Sequence, residues 1–141
     1  MNQVAADRKR ILVVEDDADF AALVSSVLLT VGYDVETAVD GEEAMEAVRR
    51  LPPDLITLDI QMPGETGVMF YRRMKSQAPY RDIPVIVISG LFDHDAENRN
   101  IIRPFFETQK LPPPEAYVEK PLDVPGLVEL VAEHLQPVSP S

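Results

Sequence analysis

The stretch Ile11-Leu12-Val13-Val14-Glu15-Asp16-Asp17 joins an unbroken apolar run to three consecutive acidic residues. A short apolar run without alternating polar positions is typical of a strand that is buried on both faces. Beyond the acids, apolar residues recur at the spacing of a helix with one apolar face, at Phe20, Leu23, Val24, Val27, Leu28 and Val31. Gly32 ends that helix, so the stretch predicts a strand, an acidic turn and a helix.

The same alternation continues along the chain. Further strands are predicted at residues 33–38, 55–58, 85–88 and 117–119, and further helices at residues 41–51, 68–74 and 124–135. Repeated strand–helix units indicate an α/β fold, in which helices cover both faces of a mostly parallel, doubly wound sheet. In such sheets the ligand site lies beyond the carboxyl ends of the strands.

Polar side chains follow four of the predicted strands. Glu15 and Asp16 follow the first, Asp59 the third, Ser89 the fourth and Lys120 the fifth. Because parallel strands end at the same edge, we expect these distant residues to converge there. Three carboxylates placed together repel one another, and a hard cation such as Mg²⁺, which prefers oxygen ligands, relieves that repulsion. With an ammonium and a hydroxyl added, the set suits phosphoryl transfer, in which an aspartate serves as the acceptor.

Composition limits the class of protein. The 141 residues suffice for one domain, for which we expect residues 10–135 between flexible tails at 1–9 and 136–141. The net charge of −11 argues against direct binding to nucleic acid. No apolar run approaches the roughly 18–20 residues that a membrane span needs, and the chain has no cysteine. We therefore predict a cytoplasmic protein that does not bind membranes.

Four stretches together resemble the response-regulator receiver family of two-component signalling, and in particular its CheY-like stand-alone receivers. They are ILVVEDD at residues 11–17, LITLDIQMPGETG at 55–67, PVIVISG at 84–90 and YVEKP at 117–121. The resemblance implies a flavodoxin-like (βα)5 fold with strand order 2-1-3-4-5. It also implies a phosphorylation switch that catalyses only its own phosphorylation and dephosphorylation.

The resemblance assigns a role to each residue at the predicted site. Asp59 is the phosphoacceptor. Mg²⁺ is bound by Asp16, by Asp59, by the backbone carbonyl of Gln61 and, through water, by Glu15.

The phosphoryl oxygens are held by Ser89 and Lys120 in the same family. Tyr117 matches the aromatic position that switches together with Ser89, and the Lys120–Pro121 bond is expected to be cis. The implied partners are a sensor histidine kinase or a phosphotransfer protein, and a downstream protein target that docks on the fourth and fifth strands and the helices beyond them.

The connection between the fourth and fifth strands departs from the family. Residues 91–116 form a longer segment than usual, with Pro104 and three prolines at 112–114. Prolines break helices, so we expect an enlarged and irregular connection. Leu91, two residues beyond Ser89, is apolar and cannot orient a hydrolytic water, which predicts a long-lived phosphoryl state.

Two other classes remain open on the sequence. A haloacid-dehalogenase-type hydrolase would use Asp59 as its nucleophile, but it carries a second aspartate where this chain has Gln61. A pseudo-receiver would keep the fold as a protein-binding module that is never phosphorylated. The complete acidic cluster argues against that alternative, because a module that bound no metal would have no reason to keep three carboxylates that repel one another.

Overall fold

The computed structural model describes residues 8–60, 66–89, 110 and 112–135, without the side chains of Thr66 and Ser89. Five strands alternate with helices in the described chain. In chain order the elements are β1 (Arg10–Val14), α1 (Ala18–Val31), β2 (Asp34–Ala38), α2 (Gly41–Arg50), β3 (Leu55–Asp59), α3 (Thr66–Lys75), β4 (Val85–Ser89), β5 (Ala116–Glu119) and α4 (Val124–Leu135).

The strands form one parallel sheet in the order β2-β1-β3-β4-β5. The predicted fold class and strand order are therefore confirmed. The register brings the strand ends together, because Val14 pairs with Leu58 while Asp59, one residue later, pairs with Ile88. The ends of β1, β3 and β4 thus meet at one edge of the sheet.

Alternate residues of each strand enter two separate cores. Leu12, Val14, Ile56 and Leu58 pack on the face covered by α2 and α3, whereas Ile11 and Val13 pack with α1 and α4 on the other. Successive strand side chains point to opposite faces, so strands covered on both sides become apolar throughout. This arrangement accounts for the unbroken apolar runs of the sequence.

The apolar stripe predicted for α1 is partly wrong. Val24 and Leu28 are buried, but Leu23 and Val31 are about half exposed, and Ala21 is buried in addition. Leu23 lies about 100° around the helix from Val24 and so faces away from the sheet. Val31 is the last residue of the helix, immediately before its cap.

Two helix ends have the caps that the sequence indicates. Asp17 caps α1, and its carboxylate accepts hydrogen bonds from the amides of Asp19 and Phe20. At the other end Gly32 has φ 120°, a conformation that favours glycine, and its amide closes the last turn on Leu28 and Leu29. The Asp17 cap fixes where α1 begins, directly beside the acidic residues that follow β1, and the Gly32 cap fixes where it ends.

The described end of the connection between β4 and β5 is anchored to the body. The Tyr71 hydroxyl, on the buried face of α3, donates a hydrogen bond to the Pro112 carbonyl at 2.6 Å. Glu115 accepts one from the Val85 amide at 2.7 Å. The rest of the connection, with Leu91 and Pro104, lies outside the described residues, so the expected irregular path stays a prediction. No helix in the described ranges has both the length and the apolar character to cross a bilayer.

Candidate functional site

Three carboxylates converge beyond the carboxyl ends of β1 and β3. Oxygen atoms of Glu15, Asp16 and Asp59 lie within 4.8 Å of one another. Glu15 and Asp59 are each 3% exposed, whereas Asp16 is open to solvent. The register explains the encounter, since β1 and β3 are adjacent and parallel and leave the sheet at the same level. The three carboxylates therefore converge as expected.

Lys120, the residue after β5, reaches into this cluster. Its Nζ atom lies 3.4 Å from Glu15 Oε1 and 3.5 Å from Asp59 Oδ2. Both distances exceed the roughly 2.7–2.9 Å of a short charge-assisted hydrogen bond, so the ammonium is shared between the two carboxylates. The peptide bond from Lys120 to Pro121 is cis.

Glu15 is the most perturbed acid of the cluster. Burial raises its pKa from 4.5 to about 8, and a hydrogen bond with Asp59 and the negative charge of Asp59 act in the same direction. The Asp17 amide, which donates to Glu15 Oε2 at 3.2 Å, and the Lys120 ammonium oppose the rise in pKa only in part. Burial and the neighbouring carboxylate therefore favour the protonated form of Glu15, and a bound cation would compete with that proton.

The acids after β1 have different functions despite being neighbours. Asp17 is turned towards the first amides of α1, as its cap hydrogen bonds at 3.0 and 3.1 Å show. Asp16 instead faces the cluster with one carboxylate oxygen. Asp16 is therefore the solvent-accessible carboxylate of the cluster, and Asp17 is a structural cap.

Comparison with known proteins places this site in a family. Residues 11–109 match the model of the response regulator receiver domain, which is more than half of the chain. The chain belongs to the response regulator receiver family. Receiver domains are modules of two-component signalling that partner histidine kinases, and the acidic cluster is typical of their Mg²⁺ site.

Individual relatives agree with this receiver assignment. Phosphate regulon transcriptional regulatory protein PhoB of Escherichia coli (strain K12) is 31% identical over 132 residues, which are 94% of this chain and 54% of that protein. Protein-glutamate methylesterase/protein-glutamine glutaminase 1 of Anaeromyxobacter dehalogenans is 46% identical over 82 residues, 58% of this chain and 23% of that protein. The receiver thus spans a quarter to about half of these curated relatives.

Solved structures have the same fold. The receiver domain of a signal transduction histidine kinase from Syntrophus aciditrophicus is 28% identical, with a TM-score of 0.76 and 94% of both chains covered. Chemotaxis protein CheY4 of Vibrio cholerae is 25% identical, with a TM-score of 0.74, covering 91% of this chain and 99% of that one.

The other predicted residues of the receiver site are placed in part. Ser89 is the last residue of β4 and pairs with Glu119, but its side chain is outside the described atoms, as is all of Gln61. Tyr117 pairs with Val87, packs against the core on the α2 and α3 face, and keeps its hydroxyl oxygen inaccessible to solvent.

Gly67 is a site residue that the sequence analysis missed. A Cβ at this position, in the first turn of α3, would lie 2.8 Å from the Asp59 carbonyl oxygen and 3.2 Å from Ile60 Cα. Since both atoms belong to the backbone, a side chain would force the helix away from the end of β3. The indication of this close approach in the sequence is the pair of glycines in the Gly-Glu-Thr-Gly run of residues 64–67.

Phe20 is a second residue whose contact the sequence did not reveal. We predicted it as part of the apolar face of α1, and its half-buried ring does pack against the core of that face. The ring also lies under Lys120, with Nζ 4.3 Å from its centroid. The two residues are 100 positions apart, so no local pattern could link them.

Proposed function

We propose that this receiver is a phosphorylation-dependent switch of a two-component system that accepts a phosphoryl group on Asp59. The supporting observation is the position of the Asp59 carboxylate, between two other carboxylates and the Lys120 ammonium. The donor would be a phosphohistidine of a sensor histidine kinase or a phosphotransfer protein in the cytoplasm. The unit carrying the switch would span residues 10–135.

The donor set suits Mg²⁺, because three carboxylates within 4.8 Å offer hard oxygen ligands at high negative charge. Asp16 and Asp59 would bind the ion directly, with the Gln61 carbonyl, and Glu15 would act through water. When bound, Mg²⁺ supplies positive charge that neutralises the carboxylates and the phosphoryl oxygens.

The residues of the chain would position the reaction. A carboxylate oxygen of Asp59 attacks the phosphorus while the bond from phosphorus to the imidazole nitrogen breaks, and the imidazole leaves. Lys120, shared at 3.4 and 3.5 Å between Glu15 and Asp59, is free of a tight pair and can follow the phosphoryl oxygens. Ser89, at the end of the adjacent strand β4, would donate its hydroxyl to another phosphoryl oxygen.

The output would be a population shift. Phosphorylation stabilises one packing of the ends of β4 and β5 and the helices beyond them, to the extent that its contacts differ between the two states. Tyr117 would move together with Ser89, and a downstream protein would read that face. This role of Tyr117 is supported by its position on β5, three residues before Lys120.

Intact mass after incubation with acetyl phosphate and Mg²⁺ tests the proposal. We expect a gain of one phosphoryl group for the wild type, and none when EDTA replaces Mg²⁺ or in Asp59→Asn. Asp34→Asn is the matched control, because Asp34 is a partly exposed acid that pairs with Arg8 away from the cluster. Asp34→Asn should react like the wild type. A wild type that gains no mass would instead favour the pseudo-receiver.

A further inference from the structure

Among the described residues, three contact the Lys120 ammonium, and one of them is uncharged. Besides Glu15 and Asp59, whose oxygens are 3.4 and 3.5 Å away, Nζ lies over the Phe20 ring, 4.3 Å from its centroid. An ammonium within about 6 Å of an aromatic centroid is attracted by the negative face of the ring. The ring therefore helps to determine the position of the Lys120 ammonium.

The position of the Phe20 ring is itself fixed by the acidic turn. The Phe20 amide donates to Asp17 Oδ1 at 3.1 Å in the first turn of α1, and the ring packs on the core of the α1 and α4 face. The residue is thus held by its backbone on one side and by apolar neighbours on the other. An aliphatic side chain would meet the packing requirement equally well, but it would not attract a cation.

We propose that Phe20 is a positioning residue, whose ring holds the Lys120 ammonium beside Asp59 through a cation–π contact. The inference rests on the proposed function. A third carboxylate in place of the ring would bind the ammonium tightly and compete with the incoming phosphoryl oxygens. A neutral ring keeps the ammonium at the site without that competition, because attraction to a quadrupole is weaker than pairing with a full charge.

The first test is a spectroscopic signature that does not depend on phosphorylation. Protons above an aromatic face resonate upfield, so the ε-methylene signal of Lys120 should be displaced upfield in the wild type. The Lys120→Met spectrum assigns that signal by its loss. Phe20→Leu should return it to the ordinary lysine position, and Phe20→Tyr should keep it displaced. A Lys120 signal at the same position in the wild type and in Phe20→Leu would contradict the proposed cation–π contact.

The second test is a double-mutant cycle on the rate of phosphorylation by acetyl phosphate in Mg²⁺. We expect Phe20→Leu to slow the reaction about fivefold and Phe20→Tyr to stay within about twofold of the wild type. In a Lys120→Gln background, Phe20→Leu should have no further effect, because the ring acts through the ammonium. An equal slowing in both backgrounds would mean that Phe20 serves only in packing.

A control separates packing from positioning. Leu28→Val removes apolar volume from the same face of α1 at its far end, where Leu28 is fully buried. It should lower stability without slowing phosphorylation. If the wild type shows the upfield signal but gains no phosphoryl group, the proposed function is wrong, while the contact between Phe20 and Lys120 is supported. If the wild type is phosphorylated and Phe20→Leu reacts equally fast, the proposed function is supported, while the positioning role of Phe20 is wrong.

Discussion

Two clusters of ionisable side chains lie at different places along β1, and their charges are balanced differently. At the first residue of the strand, Arg10 contacts Glu36, which also pairs with Arg50 at 2.6 Å, and the Arg10 amide is bound by Asp54. Two cations there meet two carboxylates near the surface. Beyond the other end of the strand, three carboxylates converge, and Lys120 lies within 3.5 Å of the two that are buried, Glu15 and Asp59.

The difference in charge balance distinguishes ion pairs that stabilise the fold from carboxylates that destabilise it and are available to bind a cation. A balanced, partly exposed cluster contributes a little stability and is weakened by salt. An unbalanced buried cluster costs stability until a proton or a cation neutralises it. The raised pKa of Glu15 is the clearest sign of that cost.

The largest expected effect is on the pH dependence of stability. The folded-state pKa of Glu15, about 8, lies above its usual 4.5, so the folded protein binds a proton that the unfolded chain releases. The stabilising contribution of that proton is complete below pH 4.5 and is lost as the pH rises through 8. Without Mg²⁺, the free energy of unfolding relative to Glu15→Gln should fall by up to about 4 kcal/mol across this range. Urea denaturation of both proteins from pH 5 to 9 measures it, and parallel profiles would contradict it.

The next effect concerns how closely α3 approaches the acceptor. Gly67→Ala should lower the free energy of unfolding by about 3 kcal/mol, because the added Cβ meets backbone atoms of Asp59 and Ile60. Gly126→Ala is the matched control, since its Cβ would meet the side chain of Asp123, which can rotate away. Chemical denaturation compares the two. Equal stability of both variants would show that the end of β3 tolerates displacement.

Removing one carboxylate from each cluster tests the comparison directly. At pH 8 without Mg²⁺, Asp59→Asn should raise the free energy of unfolding by on the order of 1–2 kcal/mol, because it relieves repulsion with Glu15. Glu36→Gln removes the same charge from the balanced cluster and should lower it by about 0.5 kcal/mol. The net charge of the protein changes equally in both variants. The opposite signs are therefore the expected result, and a shared sign would mean that only net charge matters.

The last effect is the stabilisation by metal, which adds to the free energy of unfolding without any substitution. Mg²⁺ at ten times its dissociation constant should add about 1.4 kcal/mol to the free energy of unfolding. The affinity should be higher at pH 8.5 than at pH 6.5, because protons compete for Glu15. Thermal denaturation across a Mg²⁺ series at both pH values measures this. Asp16→Asn should weaken the response, and an unchanged response would remove Asp16 from the ligand set.

Local patterns predicted most of the fold. Apolar runs such as Ile11–Val14 are long enough to specify buried strands, and the bounds of the strands agree within about one residue. The helix surfaces were predicted less well: Leu23 and Val31 were assigned to the apolar face of α1 but are 45% and 48% exposed, while Ala21 is buried in addition. A helix pattern identifies an apolar side, but the neighbouring strands decide how wide the buried side is.

The sequence alone determined the order of strands and helices and the kinds of side chain at each strand end, because both depend on residues close together in the chain. The tertiary structure alone decided what those side chains meet. The sharing of Lys120 between Glu15 and Asp59, the ring of Phe20 beneath it and the close passage of Gly67 all join residues brought together by the sheet register. Such contacts depend on distances in space, which spacing along the chain does not encode.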